Sequence, residues 1–266
     1  MAQAETIALQ FFTPVTGPKI AYRHTGGDGP LIVFLPGYMS DMAGGKATAV
    51  FDWAVANNRG CLLLDYSGCG QSEGDFKDGT LSRWRDEVLG LIDHIGGDKV
   101  ILIGSSMGGW LMLIVGLALG ERLSGMIGIA PAPDFTRWGF TDVQRETIRA
   151  DGVLLQPNPY GPEATPTWAG LYNDGVTHEM LGEPIAITCP VRILQGQVDT
   201  DVPWKIALKL ADAVHSNDVR VTLIKDGDHR LSRDADVALL LDAVAELVSG
   251  SVASSKIISH EEYEDF

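Results

Sequence analysis

What this chain is short of narrows its chemistry first. Cationic side chains are scarce: 20 Lys and Arg stand against 35 Asp and Glu, for a formal net charge of −15. That sign repels phosphate backbones and anionic lipid headgroups, and so argues against nucleic-acid and polybasic membrane roles. Cysteine is sparse, and Cys61, Cys69 and Cys189 form neither a CxxC nor a cluster with histidine. Neither a disulfide framework nor a zinc site is implied, and a reducing compartment suits the chain best. The apolar stretch 110–119 is too short to span a bilayer and reads as a buried helix. The opening "MAQAETIALQ" lacks the basic-then-apolar layout of a secretory signal and the arginines of a transit peptide. A soluble, cytoplasmic protein without stable membrane insertion is expected. Internal repeats and inter-domain linkers are lacking as well.

What is present is a regular alternation. The chain has 266 residues, 45% of them hydrophobic, enough for one large core. "TIALQFF" and "KIAYRH" form an opening strand pair around the turn "TPVTGP". "LIVFL", "CLLLDY", "VILIG", "GMIGIA", "VRILQG" and "VRVTLI" then recur as continuous apolar runs, the mark of strands covered on both faces. Between them lie helical faces: Ala47, Val50, Phe51, Ala54 and Val55, stopped by Gly60, and Trp84, Val88, Leu91, Ile92 and Ile95, stopped by Gly96. Further helices are expected over 203–214 and 234–248. Strand and helix in alternation predict a wound α/β sheet.

Two stretches break this rhythm. Residues 131–186 are rich in proline and aromatics and show no clear strand, with helices expected near 141–150 and 167–181. An insertion of that length on an α/β core reads as a cap or lid. The division expected is a core of 1–130 and 187–250, a cap of 131–186, and an acidic, solvated tail of 251–266.

The densest chemistry lies in "VILIGSSMGGWLMLI", residues 100–114, where a strand turns directly into a buried helix. Gly104-Ser105-Ser106-Met107-Gly108 fits G-x-S-x-G, the nucleophile elbow. So sharp a turn strains its central residue and leaves no room for side chains two positions either side. Ser106 is therefore the exposed hydroxyl, and the helix N-terminus behind it favours a developing oxyanion. A hydroxyl nucleophile needs a base and an orienter, taken from loops after later strands in the order acid, then histidine. "VRILQGQVDTDVPW" offers Asp199, where the loop leaves the sheet, over Asp201, which sits closer to the next helix start. "VRVTLIKDGDHR" presents His229 in a polar loop after the last strand, and histidine is the residue type best suited to act as the base. His24, His94, His178, His215 and His260 lie in a strand, a helix, the insertion, a pre-strand loop and the tail. Asp226 and Asp228 take surface roles. Oxyanion donors are expected from the main chain of Met107 and Tyr38, with Met39 the competitor to Tyr38. "DYSGCGQSEG" gives only G-x-G, with Glu73 where a third glycine belongs, so it reads as a turn and no nicotinamide or flavin cofactor is expected.

The stretches "FLPGYMSDM", "DYSGCGQSEG", "TLSRWRDEVLGLID", "GSSMGGWLMLI", "CPVRILQGQVDTDVPW" and "DGDHR" resemble the α/β-hydrolase superfamily. More narrowly, they are similar to the mitochondrial acyl-glucuronide esterase and palmitoyl-protein thioesterase group with its bacterial relatives. The resemblance runs from about Leu31 to Leu241 and includes Pro36-Gly37 in place of the more common His-Gly. It implies a mostly parallel eight-stranded sheet with a helical cap, and a Ser106, Asp199, His229 triad. It further implies hydrolysis of a small ester or thioester, or of an acylated protein. The chain departs from the group in lacking a targeting segment and in its divergent 131–186 region, which would shape the acyl pocket. Other triad hydrolases acting on C–C or peptide bonds, perhydrolases, and a non-catalytic binding module on the same fold are the alternatives.

Overall fold

The computed structural model describes residues 7–158 and 161–250. The expected acidic tail lies outside the described residues.

Eight strands make one twisted sheet: β1 (Gln10–Phe12), β2 (Ile20–Thr25), β3 (Asp28–Leu35), β4 (Arg59–Leu64), β5 (Val100–Ser105) and β6 (Leu123–Ile129), completed by two later strands. The helices between them are α1 (Gly45–Ala56), α2 (Leu81–Ile95) and α3 (Met107–Leu119). The insertion follows, with α4 (Phe135–Trp138), α5 (Asp142–Asp151), β7 (Val153–Gln156), β8 (Thr165–Trp168) and α6 (Ala169–Thr177). The core resumes with β9 (Val191–Gly196), α7 (Lys205–Ala213), β10 (Val219–Ile224) and α8 (Asp234–Gly250). Sheet order is β1-β2-β4-β3-β5-β6-β9-β10, antiparallel only where β1 meets β2 and β2 meets β4.

Side chains on successive strand residues point to opposite faces, so each apolar run feeds two cores. Val33, Leu35, Leu62, Leu64 and Leu102 pack with α2 and α3. Ile32, Phe34, Cys61, Leu63, Ile101 and Ile103 pack with α1 and α8 on the other face. Helix α3 is buried almost all round, which explains its unbroken apolar sequence. No described helix is long and apolar enough to cross a membrane. All three cysteines are free thiols.

Three local expectations are revised. Helix α1 stops at Asn57, with Asn58 in the left-handed region at φ 51°, and Gly60 instead lies within β4. Gly96 does end α2, at φ 87°. The insertion contains a two-stranded antiparallel hairpin, β7–β8, where no strand is expected. Strand β10 closes the sheet as an edge and is only half covered, so its apolar run marks one packed face rather than two.

Candidate active site

A single residue separates β5 from α3. Ser105 ends the strand, Met107 begins the helix, and Ser106 between them is held at φ 54°, ψ −119°. A non-glycine residue there costs about 1–3 kcal/mol and persists only where its surroundings fix it. Here the Ser106 N–H donates to the Ile129 carbonyl at 2.9 Å, and its carbonyl accepts from Gly109 at 2.8 Å and Ala132 at 3.0 Å. The flanking glycines are sterically required. A Cβ on Gly104 would lie 2.3 Å from the Gly108 carbonyl oxygen, and one on Gly108 would lie 2.2 Å from that of Leu35. The third glycine, Gly109, makes room for Pro131, whose Cβ would be 2.6 Å from an added methyl.

Loops after β9 and β10 bring the partners. His229 Nε2 lies 3.1 Å from Ser106 Oγ, and its Nδ1 lies 2.9 Å from Asp199 Oδ2. An ionised carboxylate only accepts, so Nδ1 carries the ring proton and Nε2 is left to accept from the serine hydroxyl. The Asp199 side chain is wholly buried and His229 is 14% exposed. Asp199 also accepts from Gln195 Nε2 at 3.0 Å and from the N–H groups of Asp201 and Val202, both at 2.8 Å. Burial pushes its acidity toward the neutral form, but the His229 ring and the two N–H groups more than offset this. The carboxyl is held below its ordinary value. Asp201 Oδ2 approaches His229 Nε2 only to 3.9 Å. Nor does Asp201 cap the next helix, since α7 begins at Lys205 after Trp204. Asp226 pairs with Arg233 at 2.7 Å and Asp228 accepts from the Leu231 N–H at 3.0 Å.

The loop after β3 runs against the elbow: a Cβ on Gly37 would sit 3.4 Å from Ser106 Cβ. It closes as a turn in which Ser40 N–H donates to the Gly37 carbonyl at 3.1 Å, with Met39 at φ 54° in the third position. Met107 is the first residue of α3, where the helix itself supplies no acceptor for the N–H. Met107 thus follows Ser106 directly, and Tyr38 follows the Gly37 that abuts it.

Sequence reasoning missed several supports. The buried Asp65 carboxylate accepts from Met42 and Gln71 N–H, each at 2.7 Å, tying the loop after β3 to the loop after β4. Burial raises its pKa, against the pull of these two bonds. A carboxylate ending an apolar strand in "CLLLDY" is the signal that could have revealed it. The "DYSGCGQSEG" segment is a run of turns, with Cys69 N–H on Tyr66 and Ser72 N–H on Cys69. From α2, Ser82 Oγ is joined to Asp174 and His178 of the 131–186 segment at 2.7 Å each, fastening α6 to α2.

A strand–serine–helix turn at the carboxyl end of such a sheet, with acid and histidine from later loops, defines a class, and comparison bears it out. The profile of the Alpha/beta hydrolase family matches residues 32–251, and the chain belongs to that family. Among its relatives is the human protein named palmitoyl-protein thioesterase ABHD10, mitochondrial. The two are 37% identical over 251 residues, covering 91% of this chain and 80% of the human one. Solved structures include a putative hydrolase from Agrobacterium vitis S4, with TM-score 0.87 and 38% identity over 92% of this chain and all of that one. Alpha/beta hydrolase domain-containing protein 10 from mouse aligns with TM-score 0.85 and 36% identity over 92% and 99%. The cytoplasmic location expected from composition is corrected here, because curated relatives from several mammals are named as mitochondrial. Free thiols and negative charge suit any reducing compartment, so neither could separate the two.

Proposed function

We propose that this chain is a serine hydrolase that cleaves carboxylic thioesters and esters through an acyl-enzyme. One observation carries the reading: the hydroxyl at the strained elbow meets a histidine whose far nitrogen rests on a buried carboxylate. The relatives named as palmitoyl-protein thioesterases support an acyl chain as the group transferred.

In this mechanism Ser106 Oγ bonds the acyl carbon while its proton passes to His229 Nε2. The carbonyl pair becomes an oxyanion, received by the N–H groups of Tyr38 and Met107, each such donor being worth about 10²–10³ in rate. Asp199 steadies the imidazolium. Collapse breaks the C–S or C–O bond, and His229 returns the proton to the leaving sulfur or oxygen. Water then attacks the acyl-enzyme with His229 again as base, releasing the acid and restoring the serine hydroxyl. The 131–186 insertion is assigned as the cap over the acyl side, supported by its contacts with the elbow through Ala132 and with Tyr38 through Pro166.

The test is a panel of p-nitrophenyl esters and acyl thioesters of increasing length, run beside Ser106→Ala. Turnover is expected to fall by several orders of magnitude in the folded variant, toward the residual rate of an oxyanion hole alone. Near-normal turnover in Ser106→Ala would sink the assignment, and a wild-type protein inert to a fluorophosphonate would favour the binding-module reading.

A further inference from the structure

The Tyr38 side chain does something its main chain does not require. Its hydroxyl donates to the carbonyl of Pro166 in β8 at 2.5 Å, across 128 residues of sequence. Its ring packs on Phe76, 5.0 Å between centroids, and Phe76 in turn packs on the buried Trp84 of α2. The loop that carries Tyr38 is thus tethered twice, by this phenol and by Asp65 at Met42. Between the tethers lies Met39 in a conformation that a non-glycine residue keeps only under constraint.

We infer that Tyr38 is a positioning residue: its phenol anchors the oxyanion loop to the β7–β8 hairpin, so the cap sets where the Tyr38 N–H stands relative to Ser106. The inference rests on the serine-hydrolase reading above and deepens it. Burial raises the phenol's pKa well above its ordinary value, so the group stays protonated and can only serve as donor to that carbonyl. Because a developing oxyanion is met by donors placed for it in advance, a loosened anchor weakens binding of the transition state and leaves binding of the ground state alone.

Tyr38→Phe keeps the ring, its stacking and the N–H, and removes only the anchoring bond. On p-nitrophenyl acetate kcat is expected to fall about 10-fold, less than the loss of a whole oxyanion donor, with KM held within about two-fold. Inhibition by a trifluoromethyl ketone, whose hemiketal oxygen occupies the same hole, should weaken by the same factor. A purely structural role would lower the melting temperature without this kcat-specific loss and without weakening the ketone. Unchanged kcat and unchanged ketone affinity would overturn the inference, as would a rise confined to KM. Ser106→Ala measured alongside separates the two readings: if it stays active the triad itself fails. If it is dead while Tyr38→Phe behaves as wild type, only the anchor fails.

Discussion

At the scale of single residues, the site is governed by what cannot be moved. An alanine at position 108 would drive its Cβ to 2.2 Å from the Leu35 carbonyl oxygen and 2.4 Å from that of Pro36. Both are backbone atoms in or beside a buried strand, so neither can swing aside as a side-chain tip would. Gly108→Ala is expected to cost at least the 1–3 kcal/mol or so typical of overpacking, and to abolish ester turnover by shifting the elbow. Thermal melts and active-site titration check both parts. The two aspartates of the β9 loop separate as cleanly. In Asp199→Asn the amide can donate to Nδ1, which favours the imidazole tautomer protonated at Nε2 and leaves Ser106 without an acceptor. The comparable change in a serine protease lowers kcat about 10⁴-fold, and a loss of that order is expected here. Asp201→Asn keeps the N–H that Asp199 accepts and removes a carboxylate 3.9 Å from the ring. Its effect should stay within about five-fold, the scale of a solvent-exposed pair. Equal losses in the two variants would contradict the choice of Asp199 as orienter.

At the scale of elements, what was readable divides by range along the chain. The inner parallel strands announced themselves because a strand covered on both faces must be apolar throughout, and each but the edge strand β10 alternates its side chains between two cores. Ser106, Asp199 and His229 were readable for a related reason: each stands just past the carboxyl end of a strand whose residues identify it. The hairpin β7–β8 was not, since "VLLQ" and "TPTW" are four residues each, one holds a proline, and pairing alone makes them strands. The same limit hid Gln195 beneath Asp199 and the phenol of Tyr38, whose partners no local spacing reveals. It also hid the Ser82–Asp174–His178 contact, where Ser82 N–H and hydroxyl both bond Asp174 and the hydroxyl also meets His178 Nε2. Sequence marks His178 only as a residue of the insertion, whereas the structure makes it part of the join between α6 and α2. Ser82→Ala leaves the N–H bond and removes the hydroxyl that links the other two. Amide exchange in α6 should accelerate while β5 and α3 stay protected, read by hydrogen–deuterium exchange. Uniform acceleration across the molecule would refute a local fastening.

At the scale of the whole molecule, carboxylates outnumber cations, yet several are placed so that folding favours their charge. Hydrogen bonding to Arg192 holds both Asp218 and Glu246 below their ordinary values, and Arg233 does the same for Asp236. Buried Asp65 and Glu87 run the other way, raised first by burial. The sign for the Arg192 group follows from linkage. The unfolded chain takes up protons near pH 4 or so, before the folded one does, so the stabilisation is complete above that pH and drains away as pH falls through the depressed folded values. The Arg192 side chain is buried in β9, while its partners come from the turn before β10 and from α8, so one guanidinium knits three elements. Arg220 Nη1, at 2.6 Å from Glu246, would remain to hold part of that charge. Arg192→Met keeps much of the aliphatic bulk and removes the charge-assisted bonds. The variant should melt lower than wild type at pH 6, yet lose less of its melting temperature between pH 6 and pH 3. Calorimetry at both pH values decides it: a drop of equal size at each would place the contribution of Arg192 in packing and hydrogen bonding that do not titrate, and would remove the acid-linked share assigned to it.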